Sequence, residues 1–161
     1  MSSLVSPLPY EPLIYDQLEG PDEVYKELCA INGEERIMNE LQEIFCNHAM
    51  WDQFGLTLLH RHFPMCPDER LVAVDGVSVP WQIDIIKLVN EGNMAPGGSV
   101  VVKAFIFDTK VGKGFYPFEY TYTSQESSKG HSEALVSPIS LASAPLAFLQ
   151  DIGQALVKYG L

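Results

Sequence analysis

The sequence predicts an α+β fold with two N-terminal helices, a four- to five-stranded, mostly antiparallel sheet, and a C-terminal helix packed on that sheet. Apolar residues recur at helical spacing in residues 21–48 and again after residue 143, and β-rich runs separated by turn residues lie between them. The chain has 161 residues, 47% hydrophobic and 19% charged, so residues 1–161 are interpreted as one globular domain.

The N-terminal third is predicted to be an arm followed by two helices. Residues 1–20 are rich in proline and predict an extended arm. Pro21 and Asp22 then open the first helix. The second helix is expected to begin at Asn32, with Glu35 three residues later as its capping-box partner.

The next segment predicts strands. Residues 55–63 form a compact apolar run that Pro64 ends, and we interpret this run as a strand. Asp75-Gly76 between two β-rich runs predicts a two-residue type I′ hairpin, because both turn positions need a positive φ. Pairing across this turn is expected to place four valines on one face: Val72, Val74, Val77 and Val79.

The second half of the chain predicts a helix and two further strands. Residues 82–91 fit a helix or a strand, and the glycine-rich turn after them favours a short helix. Residues 99–108 are apolar on both faces, as in a central strand. Residues 115–123 form an aromatic strand in which Pro117 indicates an edge position or a bulge.

The C-terminal region predicts a loop and a helix. Residues 124–138 have the composition of a surface loop, and a helix is expected to begin near Ser143 with Pro145 in its first turn. Its predicted inward residues are Leu146, Leu149, Ile152, Leu156 and Val157.

The charge of the chain argues against two classes of partner. The net charge is −11, and residues 1–50 hold ten acidic and two basic side chains, which gives that segment a charge of −8. Such a field repels polyanions, and no basic run offsets it. We therefore expect neither a nucleic acid nor an anionic membrane surface as a partner.

The cysteine pattern indicates a reducing compartment. Cys29, Cys46 and Cys66 are odd in number and lack the spacing of a disulfide framework. No secretory signal is recognised, and no apolar run is long enough to span a bilayer. A cytoplasmic location is the expectation.

Two histidines form a local pattern with chemical potential. His60 and His62 lie two residues apart in the predicted strand, so both imidazoles would point to one face. Such a pair can transfer protons or bind a metal ion, with Cys66 or the Cys46-x-His48 pair as further ligands. The alternative is that both histidines are hydrogen-bonded residues of the sheet.

The aromatic strand is the second candidate feature. A curved sheet beneath a helix can enclose a small apolar cavity in which tyrosine hydroxyls orient a ligand. Glu119 is the candidate catalytic carboxyl group, and the candidate ligand-binding residues are Tyr116, Phe118, Tyr120, Tyr122 and Trp81. The alternative is that aromatic residues simply suit a pleated surface.

One segment resembles a known group of proteins. Residues 54–63 (FGLTLLHRHF), followed by a hairpin that ends in Val79-Pro80-Trp81, are similar to segments of small uncharacterised fungal proteins. The resemblance marks the His-x-His-Phe segment as a shared feature and implies no particular activity.

Three functional hypotheses follow. The first is a small-molecule-binding domain, extending to a cofactor-independent isomerase, lyase or cyclase that uses His60, His62 and Glu119 as acid–base groups. The second is a non-catalytic interaction module that binds a partner through its acidic helices or through an edge strand near Pro117. The third is metal storage or sensing through the histidine pair and a cysteine. No nucleotide-binding loop or serine-nucleophile motif is present in the sequence.

Overall fold

A computed structural model describes residues 9–95, 97–107, 114–124 and 144–159. In chain order the elements are α1 (Pro12–Asp16), α2 (Pro21–Ala30), α3 (Gly33–Asn47), β1 (Glu69–Val74), β2 (Val77–Gln82), α4 (Ile83–Asn90), β3 (Ser99–Phe107), β4 (Phe115–Thr123) and α5 (Leu146–Tyr159). The sheet order is β2-β1-β4-β3, and only the β1–β4 pair is parallel among the described strands. The predicted fold class is confirmed, since the sheet is mostly antiparallel and the C-terminal helix packs on it.

Helices α3 and α5 cover one face of the sheet at the end formed by Phe107 and Phe115. These two rings join the main helical core, with centroids 5.0 Å apart. Gly153 lets α5 approach closely, because a Cβ at this position would lie 2.8 Å from Cζ of Phe107. The buried helical residues of this core are Ile37, Leu41, Phe148, Leu149, Ile152 and Ala155.

The N-terminal segment, which contains α1, covers the opposite face, whereas α4 packs on the same face as α3 and α5. Along β3, Phe107 packs against the α3–α5 core, whereas its neighbour Ile106 packs against the cluster that contains Tyr15 of the N-terminal segment. Along β1, Leu71 belongs to that same cluster, whereas its neighbour Val72 packs against α4. Because successive strand residues point to opposite faces, the sheet lies between the three helices and the N-terminal segment.

The predicted hairpin is confirmed. Val72 pairs with Val79 and Val74 with Val77, so the four valines share a face. The turn residues Asp75 (φ 50°) and Gly76 (φ 82°) both have positive φ, as a type I′ turn requires.

The helical predictions hold with corrections at the termini. The two N-terminal helices and the helix within residues 82–91 are present, but the arm is not wholly extended because it contains α1. Asn32 adopts a left-handed conformation (φ 50°), and its side chain donates to Glu35 rather than capping the backbone of α3. The predicted inward position of Val157 in α5 is wrong, since this residue is 47% exposed. Ser143 and nearly all of the predicted loop 124–138 lie outside the described residues.

The strand predicted over residues 55–63 is wrong. These residues form an irregular connection between α3 and β1, although Leu59 and Phe63 pack against the cluster of Tyr15 and Phe118. Packing of a loop on the sheet accounts for Leu59 and Phe63, whereas Leu56 (45%) and Leu58 (37%) are exposed.

The central position predicted for β3 is wrong, whereas β4 shows the bulge that is one of the two alternatives predicted from Pro117. β3 lies at an edge, and it is apolar on both faces because α3, α4 and α5 cover one face and the N-terminal segment covers the other. β4 lies between β1 and β3, but β1 pairs only with residues 119–121. Among the described strands, Pro117 therefore has only β3 as a neighbour. It lies beside the register irregularity of that pair, a place where a sheet tolerates a residue without an N–H.

Candidate functional site

Arg70 of β1 is held against aromatic side chains. Its guanidinium carbon lies 3.8 Å from the ring centroid of Tyr10, and its positive charge opposes the rise that burial causes in the pKa of the nearby Tyr120 hydroxyl. Nη1 donates to the carbonyl oxygens of Pro67 (2.9 Å) and Glu69 (2.6 Å). Within the described ranges, no carboxylate forms an ion pair with this half-buried cation.

Two further aromatic residues share the face of Arg70. Trp81 is the cross-strand partner of Arg70 on β2, and its ring centroid lies 5.7 Å from that of Tyr122. Val72, two residues after Arg70, is aligned with Tyr120 in the parallel ladder, which places these residues on the same face. We call the following half-buried residues the Arg70 surface: Tyr10, Arg70, Trp81, Tyr120 and Tyr122.

The phenols of this surface are stable hydrogen-bond donors. Burial raises the pKa of Tyr120, and Arg70 partly opposes that shift. Burial likewise raises the pKa of Tyr10, again against the influence of Arg70. Both hydroxyls are therefore protonated at neutral pH and can donate to an acceptor on a ligand.

The remaining aromatic candidates have different surroundings. Phe118 is 7% exposed and stacks on Tyr15, with ring centroids 5.9 Å apart, so it belongs to the core. Tyr116 is half-buried and pairs across the sheet with Ile106. The structure thus brings Trp81, Tyr120 and Tyr122 together with Arg70, and it places Phe118 in the packing beneath the N-terminal segment.

Glu119 is engaged elsewhere. Its carboxylate accepts a hydrogen bond from the hydroxyl of Ser78 and lies 3.5 Å from Nζ of Lys103. Its neighbour Tyr120 points to the other face by strand alternation. Glu119 therefore forms a polar group with Ser78 and Lys103, apart from the Arg70 surface.

The two predicted histidines do meet, although no strand positions them. Nε2 of His60 lies 2.8 Å from Nε2 of His62, and Nδ1 of His60 lies 3.0 Å from the carbonyl oxygen of Leu58. The residue between them, Arg61, anchors the loop, since its backbone N–H donates to the carbonyl of Glu19 at 2.8 Å. The proximity predicted from the two-residue spacing thus arises from a loop conformation.

The additional metal ligands considered from the sequence do not join this pair. In the described part of the chain, no group of three His, Cys, Asp or Glu side chains is arranged to hold a metal ion. The ring of His48 binds the carboxylate of Asp151 at 2.7 Å. The negative charge of Glu69 raises the pKa of the Cys66 thiol, which disfavours its thiolate as a ligand or nucleophile.

The space predicted to be a cavity between the sheet and a helix is packed. Val72 is fully buried in a cluster with Ile86, Val89 and Val100, so α4 sits directly on the sheet. Surface hollows of about 510 and 380 Å³ lie instead on α3 and between α3 and α5. Neither hollow is lined by a residue of the Arg70 surface.

Sequence reasoning missed Tyr10 and Arg70. The signal for Arg70 was present, because it has the parity of Val72 and Val74 in the predicted hairpin and interrupts an otherwise apolar face. No local signal links Tyr10 to Arg70, since the contact joins residues 60 positions apart in the sequence.

Comparison of the chain with protein-family models, curated proteins and solved structures finds no match. None of the helices in the described ranges is long and apolar enough to cross a bilayer. Function must therefore be inferred from the geometry of this chain alone, and the resemblance to small fungal proteins stays a prediction.

Proposed function

We propose that this protein binds a small, flat organic anion, of the class of aromatic carboxylates, at the Arg70 surface. The observation that carries the proposal is the position of Arg70, a half-buried guanidinium stacked on Tyr10 without a carboxylate partner among the described residues. Arginine is the side chain best suited to bind a carboxylate through two parallel hydrogen bonds.

The hydrogen-bonding capacity of Arg70 supports this role. A guanidinium carries five N–H donors. The described hydrogen bonds of Arg70 go to the carbonyl oxygens of Pro67 and Glu69. Donors therefore remain for a ligand, and the stacking on Tyr10 holds the guanidinium plane in place before binding.

The net charge makes the absence of an ion pair among the described residues informative. Acidic side chains outnumber basic ones by 21 to 10, so an arginine has many more carboxylates than competing cations around it. Charged side chains that are withdrawn from water are usually paired with an opposite charge. Beside Arg70 lie the rings of Trp81 and Tyr122 instead, which provide apolar surface for a ligand.

The test uses benzoate and its neutral analogue benzamide, followed by NMR of isotope-labelled full-length protein. Benzoate is expected to shift the resonances of Tyr10, Trp81 and Tyr120 in a saturable way, whereas benzamide is not. Arg70→Gln is expected to weaken benzoate binding at least tenfold, or about 1.4 kcal/mol. Arg70→Lys is expected to weaken it as well, because an ammonium cannot form the planar, bidentate contact.

The matched control is Arg61→Gln, which removes an exposed arginine elsewhere on the chain. It should leave benzoate binding unchanged. Equal shifts from benzamide and benzoate, or equal weakening by Arg61→Gln and Arg70→Gln, would contradict anion recognition at Arg70.

Catalysis is not part of this proposal. Glu119 belongs to the opposite face, and none of the described hydrogen bonds or ring contacts joins His60 or His62 to the Arg70 surface. Binding requires only the guanidinium and the rings that surround it.

A second candidate is the interaction module, and the surface of α2 and α3 favours it. Helix α2 has no buried residue, and Tyr25 (60% exposed) and Met38 (55% exposed) lie among the acidic side chains of these helices. Exposed aromatic and methionine residues within a charged surface are typical of a docking face. A partner captured equally by wild type and by Tyr25→Ser/Met38→Ser would exclude these helices as that face.

The three thiols support a proposal that the protein resides in the cytoplasm. Cys29, Cys46 and Cys66 are all exposed and free. Exposed free thiols persist in a reducing compartment. Fractionation of cells that express the full chain, with its cysteines trapped by alkylation, tests both location and redox state.

A further inference from the structure

We infer that His60 and His62 form a chelating site for one late first-row divalent metal ion, such as Zn²⁺ or Cu²⁺. This site is independent of the Arg70 surface. Two contacts carry the inference: the 2.8 Å approach of the two Nε2 atoms and the 3.0 Å contact of His60 Nδ1 with the carbonyl of Leu58.

The contact with Leu58 fixes the tautomer of His60. A carbonyl oxygen only accepts hydrogen bonds, so Nδ1 of His60 must carry the proton. The lone pair of neutral His60 therefore lies on Nε2 and points at His62. Metal-binding histidines are typically oriented in this way, with the second ring nitrogen donating to a backbone carbonyl.

The distance between the two Nε2 atoms is close to that of a chelate. Two imidazole nitrogens bound to one tetrahedral Zn²⁺ at about 2.0–2.1 Å lie about 3.3 Å apart. The observed 2.8 Å separation of His60 and His62 needs only a small rotation of exposed rings to reach it. His62 then carries its proton on Nδ1 and presents a second lone pair.

Without a metal, the same contact is a single N–H···N hydrogen bond between two rings. A hydrogen bond of this kind contributes little to stability, and less where water competes for both nitrogens. A coordinated metal provides a far larger free energy for holding the rings together. Since the described residues supply no third ligand, water or an external ligand completes the coordination shell.

The surrounding charges permit a cation. Arg61 lies between the two histidines in sequence, but its side chain is turned to α1, where Nη1 donates to the carbonyl of Asp16 at 3.1 Å. The chain as a whole carries a net charge of −11, which raises the local concentration of cations.

The experiment is a zinc titration of tag-free, full-length protein at neutral pH against a chromophoric chelator, followed by Cu²⁺ electron paramagnetic resonance. We expect one metal ion per chain and hyperfine coupling to two imidazole nitrogens. His60→Gln and His62→Gln are each expected to weaken zinc binding by about tenfold or more, which corresponds to about 1.4 kcal/mol. His48→Gln is the matched control, because it removes a half-buried histidine that is paired with Asp151.

The outcomes distinguish zinc binding at the histidine pair from zinc binding elsewhere on the chain. Unchanged affinity in His48→Gln, with loss in both loop variants, supports the site. Equal zinc affinity in wild type and the His60→Gln/His62→Gln double variant would overturn it, as would coupling to a single nitrogen. Thermal unfolding of each variant checks the fold, and it should change little because the pair lies in an exposed loop.

Discussion

The contact between α5 and β3 provides a sharp test of the packing. Gly153 is buried, and an added Cβ would lie 2.8 and 2.9 Å from Cζ and Cε2 of Phe107, whereas carbon atoms pack optimally at about 3.5–4.0 Å. Overpacking of this kind costs about 1–3 kcal/mol, and alanine regains about 1 kcal/mol of helix propensity. Gly153→Ala is therefore expected to lower the free energy of unfolding by about 1 kcal/mol, measured by urea denaturation.

A double-mutant cycle with Phe107→Leu isolates the contact. The smaller side chain makes room for the new methyl group, so Gly153→Ala should cost less in the Phe107→Leu background than in wild type. Gly55→Ala is the matched control, because a Cβ added at that position would meet no atom within 4 Å beyond its chain neighbours. A gain of about 1 kcal/mol in Gly153→Ala would show that helix propensity prevails and that α5 does not press on Phe107.

Two further predictions concern polar contacts that join elements. The side chain of Asn90 accepts from the N–H of Val100 (2.7 Å) and donates to its carbonyl oxygen (3.1 Å). Asn90→Ala should therefore lower the free energy of unfolding, measured in urea, by about 1–3 kcal/mol. An unchanged free energy of unfolding would mean that water replaces both hydrogen bonds. Hydrogen bonds from Lys158 (2.6 Å) and Tyr159 (2.5 Å) hold the pKa of Glu40 below its usual value. This stabilisation is present above the unfolded pKa of about 4.3 and is lost as the pH falls through the folded pKa. The Tm deficit of Glu40→Gln should therefore be larger at neutral than at strongly acidic pH, and an equal deficit at both would contradict the ionic contribution.

The elements predicted correctly are those that local chemistry determines. Asp75 and Gly76 require positive φ, and this requirement alone selects the hairpin and its register. The helices likewise follow from apolar spacing and from proline or glycine at their ends. No long-range contact is needed for these predictions.

The wrong predictions concern choices that only tertiary contacts determine. Residues 55–63 are as apolar as a strand, but they form a loop in which only Leu59 and Phe63 pack on the cluster of Tyr15 and Phe118. The pattern of β3 is that of a central strand because both of its faces are covered, yet helices cover one face, the N-terminal segment covers the other, and one edge has no strand neighbour among the described residues. Hydrophobic pattern reports burial, and it does not identify the neighbour that causes the burial.

The candidate functional residues likewise fall into those that local spacing predicts and those that only a tertiary contact defines. The spacing of His60 and His62 correctly predicts that their rings are close, because a two-residue separation brings side chains together in an extended loop as well as in a strand. Arg70 acquires its environment from Tyr10, which reaches it only after the N-terminal segment packs on the sheet. A functional residue defined by such a contact cannot be found from spacing, although its cation at an apolar position gives a hint.

The distribution of charge explains why local geometry must provide any anion affinity. The net charge of −11 repels anions at distances up to a Debye length, about 10 Å at 0.1 M salt, so diffusion does not deliver them to Arg70 efficiently. The same field favours a cation at the histidine pair. In the proposed binding mode, short-range contacts would therefore hold the anion: the guanidinium would bind the carboxylate, and the rings of Tyr10 and Trp81 would contact the ligand ring. For this reason the neutral analogue benzamide, which matches benzoate in shape, separates the charge of the ligand from its stacking.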